Sequence, residues 1–311
     1  MSIIEKALNK AKDEGQKSNN LTGFYSENGG KADDAESNFQ DNNLVLTANP
    51  TLSTKKEQPQ VNPVITKTAD IDWARLTGLG FVAPGDSNTQ AVEEYRNIKR
   101  PLVSNAFGKG SEGITRANLI LITSSLPGEG KTFTAINLAL SIANERDKQV
   151  LLIDADVARP SVSRVLGIKS APGLIDYLDS EDISFSDISL STSMPGLRII
   201  PAGKLHKHST ELLSSNKMTL LADELSSRYP DRVVIFDSPP LLAATQGEIL
   251  AKLVGQVVLV IEAEKTMQSV VMESVDKLAS CDVVLALFNK SKRNTDGSYY
   301  GYGYGYEQYA H

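Results

Sequence analysis

A mostly parallel α/β sheet with helices on both faces is the fold this sequence predicts, on three observations. Near-continuous Val/Ile/Leu runs recur through residues 118–290, and helical patterns separate the later ones. A glycine-rich stretch, SSLPGEGKT, stands directly between the first run and the first of these helices. Two further runs end in aspartates, at the carboxyl edge where ligands bind in open α/β sheets.

The elements follow in order. Residues 3–14 carry Ile3, Ile4, Ala7, Leu8 and Ala11 on one stripe at helical spacing, so residues 1–15 are expected as an amphipathic helix. At about three turns it is marginal alone, and its apolar face calls for a partner; a frayed terminus is the other reading. Residues 16–70 are rich in Asn, Ser, Thr and Gly with few periodic apolar positions, which predicts a disordered linker. Order is expected to resume at Ile71, with Trp73 and Phe81 anchoring the start of the domain. Ser87 and Gln90 form a capping box for a helix through Ala91, Val92, Tyr95 and Ile98 that Pro101 should end. Strands are then expected at 118–125, 149–156, 197–203, 232–240, 256–264 and 282–290. Helices are expected at 132–145, 210–228, 245–253 and 266–280. One α/β domain over 71–290 and a flexible tail over 291–311 complete the chain.

Composition removes several function classes. The net charge of -6 opposes a general nucleic-acid binder, which needs a basic face. The single Cys281 excludes an internal disulfide and any zinc site built on several cysteines. His206 and His208 lie close together, but a metal-hydrolase constellation is not expected from three His, and a solvent-exposed loop is the plainer reading. No stretch approaches the roughly 18 apolar residues of a membrane span. The start, MSIIEKALNKAKDEG, has no apolar signal region, so the expectation is a cytoplasmic chain with no membrane segment of its own.

The SSLPGEGKT stretch has the strand–loop–helix context of a P-loop. Gly128 and Gly130 permit tight turns that aim successive N–H groups at phosphate oxygens. Ser125, Pro127, Gly128, Glu129, Gly130, Lys131, Thr132 and Phe133 are therefore the candidate nucleotide-binding residues. Lys131 would reach the β- and γ-phosphates, and the Thr132 hydroxyl would ligate Mg²⁺. Ser125 stands where the usual pattern has its first Gly. A glycine-rich turn without a ligand is the alternative. RVVIFDSPP presents Asp237 as a Walker-B acid, and QVLLIDADVARP presents Asp154 and Asp156 on one side of a strand end. Two such carboxylates beside a cation can divide the roles of metal ligand and proton acceptor. Alternatively, one of them caps the next helix or pairs with Arg159. Asn289 and Lys290 are similar to the start of the NKxD of GTPases, but Lys292 replaces its Asp. Asn289 is expected to hydrogen-bond adenine, which favours ATP.

With these motifs the sequence resembles the bacterial tyrosine kinases (BY-kinases) of exopolysaccharide synthesis, most of all the autokinases of exosortase, PEP-CTERM loci. The matching stretches are SSLPGEGKT, LLIDADVARP and VVIFDSPP in that order, with PAG at 201–203, ELLSS at 211–215 and a terminal tyrosine cluster. The opening IEKALNKAK also looks like theirs. The resemblance implies a P-loop, ParA/MinD-like fold with ATP and Mg²⁺ as cofactors, and phosphates held by Lys131 and Thr132. It implies Asp154 as the group assisting deprotonation of tyrosine, with Asp156 and Asp237 as Mg²⁺-associated acids. Glu93, Arg96 and Lys99 match the ExxRxxR helix that builds a ring-shaped homo-oligomer, with Lys99 where Arg is usual; a solvated helix face is the plain reading.

The resemblance also gives the tail a role. Tyr299, Tyr300, Tyr302, Tyr304, Tyr306 and Tyr309 alternate largely with Gly. Beside a kinase site they are expected as autophosphorylation sites, although a sticky low-complexity tail is the other reading. The implied partner is a membrane chain-length-determinant protein that activates the kinase at the inner face of the plasma membrane. The competing function is a ParA/MinD-type positioning ATPase. That class carries a signature Lys where this chain has Leu126.

Overall fold

A computed structural model describes residues 67–292 apart from 83, 85–89, 146 and 229–230. The expected N-terminal helix, most of the linker, the Ser87 cap and all six tail tyrosines lie outside the described residues.

Eight strands form one sheet: β1 (Thr68–Ala69), β2 (Leu119–Ser124), β3 (Gln149–Asp154), β4 (Leu190–Thr192), β5 (Leu197–Ile200), β6 (Arg232–Asp237), β7 (Gln256–Glu262) and β8 (Val283–Asn289). Their order is β1-β4-β5-β3-β6-β2-β7-β8. Every pairing is parallel except β4 with β5. β2 reads LILITS and is buried at all six positions, as a central parallel strand covered on both faces must be. Removing each of its Leu and Ile side chains from water contributes about 1.5–3 kcal/mol.

Alternate residues of the sheet feed two cores. Ile120, Ile122, Leu152, Ile235 and Val258 face α1 (Trp73–Gly78), α2 (Gln90–Phe107), α3 (Lys131–Ala143) and α4 (Val162–Leu166). Leu119, Leu121, Leu151, Val234 and Val257 face the opposite layer. That layer holds α5 (Leu174–Asp179), α6 (Phe185–Ile188), α7 (Ser209–Leu213), α8 (Asn216–Ser227), α9 (Thr245–Ala251) and α10 (Gln268–Lys277). α3 is buried continuously from Thr134 to Ala143, the mark of a helix packed on all sides. Trp73 and Phe81 join the first core, as expected for anchors of the domain start.

Three expectations change. Pro101 does not end its helix, because α2 runs on to Phe107. Leu102 is fully buried there, and its carbonyl accepts from Gln256 Nε2 at 3.0 Å, so tertiary contacts outweigh the backbone bond that proline removes. The helix expected over 210–228 is two helices, α7 and α8. Between them Ser215 lies in extended backbone, and its hydroxyl caps α8 by accepting from the Met218 N–H. In addition Thr68–Ala69, inside the segment expected as linker, pairs with β4.

The order matters for function. β6 separates β2 from β3, so the carboxyl ends of three adjacent strands present the phosphate loop, Asp237 and Asp154 side by side.

Candidate nucleotide and phosphotransfer site

The loop from Ser125 to Gly130 turns β2 into α3. Gly128 and Gly130 hold φ of 89° and 100°, a left-handed backbone that favours glycine. A Cβ on Gly128 would meet nothing within 4 Å, so the loop is open over this residue. A Cβ on Gly130 would lie 2.0 Å from Asn289 Nδ2, a second reason for glycine there. The unpaired N–H groups and dipole of the α3 N-terminus favour an anion at the same place.

Not every loop side chain points to a ligand. Glu129 is buried: its Oε2 accepts from the Leu126 N–H at 2.7 Å, and its Oε1 accepts from the Thr266 hydroxyl. The Ser125 hydroxyl accepts from Ser274 Oγ at 2.8 Å. Phe133 packs against the Phe81 ring with centroids 4.7 Å apart. These three shape and seat the loop, while Lys131 and Thr132 face the carboxylates.

Lys131 Nζ lies 3.0 Å from Asp156 Oδ2. Thr132 Oγ1 donates to Asp237 Oδ2 at 2.7 Å. Asp154 and Asp237 are register partners on β3 and β6. One oxygen of Asp154, Oδ2, accepts from the N–H groups of Ser161 and Val162 at 3.1 and 3.0 Å, and so caps the start of α4. Asp156 Oδ1 accepts from the Arg159 N–H at 3.1 Å. Both carboxylates therefore have local structural work, and both are buried.

The remaining oxygens are more telling. Asp154 Oδ1 and Asp237 Oδ1 are buried with no hydrogen-bond partner. Burial pushes the Asp237 carboxyl up to about 8, reinforced by the charge of Asp154 and opposed by Lys131 and the Thr132 hydroxyl. Burial likewise pushes Asp154 up to about 7, opposed by the Val162 N–H and reinforced by Asp156. A set of hard oxygens with two unsatisfied members suits Mg²⁺, and the open glycine loop suits a polyphosphate. The residues present fit both groups.

Other predicted residues stand elsewhere. Glu93 and Arg96 form an exposed ion pair on α2. Lys99 turns inward to the Ser141 carbonyl at 2.7 Å and to Glu145 Oε1 at 2.8 Å, near the C-terminal end of α3. Ten residues of helix place that contact roughly 15 Å from Lys131. Asn289 Nδ2 donates to the Glu129 carbonyl at 2.9 Å, and Lys290 Nζ donates to the Gly128 carbonyl at 2.7 Å. The Asn–Lys pair that the sequence suggests for adenine contact thus also meets the loop backbone. Thr266, half-buried just before α10, and Ser274, buried within it, carry no sequence signal of a loop partner 137 and 149 residues away.

Fold and site together define a P-loop domain with acids ending β6, beside the loop's own strand, and β3, one strand further on. The AAA domain family model matches residues 117–284, more than half of the chain. The tyrosine-protein kinase YwqD of Bacillus subtilis is 33% identical over 211 residues, covering 68% of this chain and 85% of YwqD. The chain belongs to the bacterial tyrosine kinase family. The tyrosine-protein kinase ptk of Acinetobacter johnsonii is 34% identical over 188 residues, covering 60% of this chain but 24% of ptk. The chain thus matches about a quarter of the length of several curated relatives. The kinase domain of the Escherichia coli tyrosine kinase ETK aligns with a TM-score of 0.61 at 28% identity, covering 73% of this chain and 85% of that one.

Proposed function

We propose that this chain is an ATP-dependent protein-tyrosine kinase whose substrate is the tail of a neighbouring copy, at Tyr299, Tyr300, Tyr302, Tyr304, Tyr306 and Tyr309. The observation that carries the reading is the buried, unpartnered Asp154 Oδ1 beside Lys131, Thr132 and Asp237 in a P-loop site. Bound Mg-ATP supplies the transferable phosphoryl group and a cation that neutralises its charge. The loop N–H groups and Lys131 hold and orient the phosphates. Thr132, Asp156 and Asp237 offer oxygens to the cation. Asp154, pushed up to about 7, is matched to accepting the phenolic proton near neutral pH.

Each tail phosphate adds about -1.5 to -2 charges, so several on one short segment repel one another and the acidic body. This supports release of the tail from the neighbour's site and loosening of a ring built through Glu93, Arg96 and Lys99. The resemblance to exopolysaccharide autokinases supports a role in polymer synthesis or export with a membrane chain-length-determinant partner, at the inner face of the plasma membrane. Among the described residues no helix is long and apolar enough to cross a membrane.

Incubation with Mg-ATP and the partner's cytosolic segment tests the reading. Wild type is expected to gain phosphotyrosine, and Lys131→Met and the six-fold Tyr→Phe tail variant are expected to lose nearly all of it. ATP hydrolysis without phosphotyrosine would overturn the kinase and support a positioning ATPase.

A further inference from the structure

We infer that Asn289 and Lys290, at the end of β8, are positioning residues that hold the phosphate loop in its anion-binding shape from behind. The inference rests on the nucleotide-binding reading of that loop. A loop that aims its N–H groups inward at phosphate must turn the neighbouring carbonyls outward. Those carbonyls need donors, or the peptide planes are free to rotate and the N–H groups lose their aim.

Two successive outward carbonyls are met here by two successive residues. Gly128 O accepts from Lys290 Nζ at 2.7 Å, and Glu129 O accepts from Asn289 Nδ2 at 2.9 Å. Both peptide units adjoin glycines at positive φ, where the backbone has the most freedom to lose. Adjacent residues of a strand point to opposite faces, so a regular β8 cannot present both side chains to one loop. Lys290 resolves this with φ of 59°, a left-handed turn rare outside glycine that costs on the order of 1 kcal/mol. The turn is anchored by the Ala263 N–H donating to the Asn289 carbonyl at 2.9 Å, and Lys290 Nζ is held from its other side by Glu262 Oε2 at 3.2 Å.

One N–H of the Asn289 amide is engaged by the loop, which leaves its other N–H and Oδ1 to be tested for a base contact. The two roles make different binding predictions. A base reader discriminates among nucleobases and leaves a bare polyphosphate unaffected. A loop-positioning pair affects every ligand that uses the phosphates, whatever is attached to them.

Titration calorimetry with Mg-ATP, Mg-GTP and Mg-tripolyphosphate separates these outcomes. Asn289→Ala and Lys290→Ala should each weaken all three ligands by a similar factor, on the order of tenfold for a lost hydrogen bond in this setting. Lys290→Arg should recover most of the loss. Lys290→Gly relieves the left-handed strain but lacks the donor, so its melting temperature should hold or rise while binding still weakens. That divergence is not expected of a merely structural residue. A loss confined to ATP, or unchanged binding in both alanine variants, would overturn the inference. Absence of binding of all three ligands to the wild type would instead bring down the nucleotide reading, and the positioning role with it.

Discussion

On the β7–β8 side of the phosphate loop the side chains of Glu129, Asn289, Lys290 and Ser274 all end in hydrogen bonds to neighbouring protein groups. On the β3–β6 side Asp154 Oδ1 and Asp237 Oδ1 are buried with none, and both carboxyls are pushed up by burial. An unsatisfied buried acceptor costs about 1–3 kcal/mol, more when charged, so the second wall sacrifices stability that the first retains. Such a sacrifice is expected where a ligand completes the structure. The contrast teaches which part of the site is built in advance and which part the ligand finishes.

The largest expected effect tests the unfinished wall directly. Asp237→Asn keeps the volume but removes the charge, and phosphotyrosine formation should fall by roughly a hundredfold or more, as for loss of a key charged group in phosphoryl transfer. At pH 8.5, above the raised pKa of Asp237, the ligand-free variant should nevertheless melt higher than wild type, because a buried carboxylate is replaced by a neutral group. A lower melting temperature would break the comparison.

The same wall predicts an unusual pH dependence. Asp154 and Asp237 have folded pKa values raised to about 7 and about 8, above the ordinary carboxylate value near 4. Between those limits the folded state binds more protons than the unfolded state, so stability is greatest below about pH 4 for these groups and declines as pH rises towards 8. Thermal scans of the ligand-free protein from pH 5 to pH 8.5 should show this decline. Asp237→Asn should flatten much of it, and Mg²⁺ with nucleotide should do the same for wild type. A profile that rises over this window, in which these two carboxyls are the ones shifted upward among the described residues, would contradict the assignment.

Much of this arrangement was legible because it is local. Asp237 and Asp154 each end a run of apolar residues, and a parallel sheet places such ends along one edge. GKT after a strand was enough to place Lys131 and Thr132. What was not legible depends on register between distant segments. Lys290 meets Gly128 only because β8 lies beside β7 and turns left-handed at its end, which no pattern near residue 290 announces. Pro101 misled for a similar reason, since its helix is held by Gln256 from the start of β7. β1 and β4 have two and three residues, too short for periodicity to show.

On the finished wall the effects should be smaller and confined to stability and binding. Thr266→Val removes the hydroxyl that donates to the buried Glu129 carboxylate. A cost of about 1 kcal/mol follows from the lost hydrogen bond, since the Glu262 N–H at 3.4 Å stays on that oxygen. Chemical denaturation should show it without altering the decline with pH, because the pH effect originates on the opposite wall. Coupled changes in both would mean the walls are one network.

The smallest effects belong to α2, and they decide whether the contrast is a property of the site or of the whole domain. Lys99 is 12% exposed and sits at the C-terminal end of α3, where a cation is favoured by the unpaired carbonyls and the helix dipole. Lys99→Met should cost about 1 kcal/mol in denaturant melts. Glu93, 59% exposed in its pair with Arg96, should cost no more than about 0.5 kcal/mol as Glu93→Ala. Neither should alter affinity for Mg-tripolyphosphate, since the phosphate loop is at the other end of α3. Sedimentation velocity then separates the two positions. If the exposed Glu93–Arg96 pair joins copies, Glu93→Ala shifts the oligomer while barely changing stability. Lys99→Met does the reverse, because its charge is already engaged by its own chain. Equal shifts in both would place Lys99 at the interface and show that its inward contacts are given up on assembly.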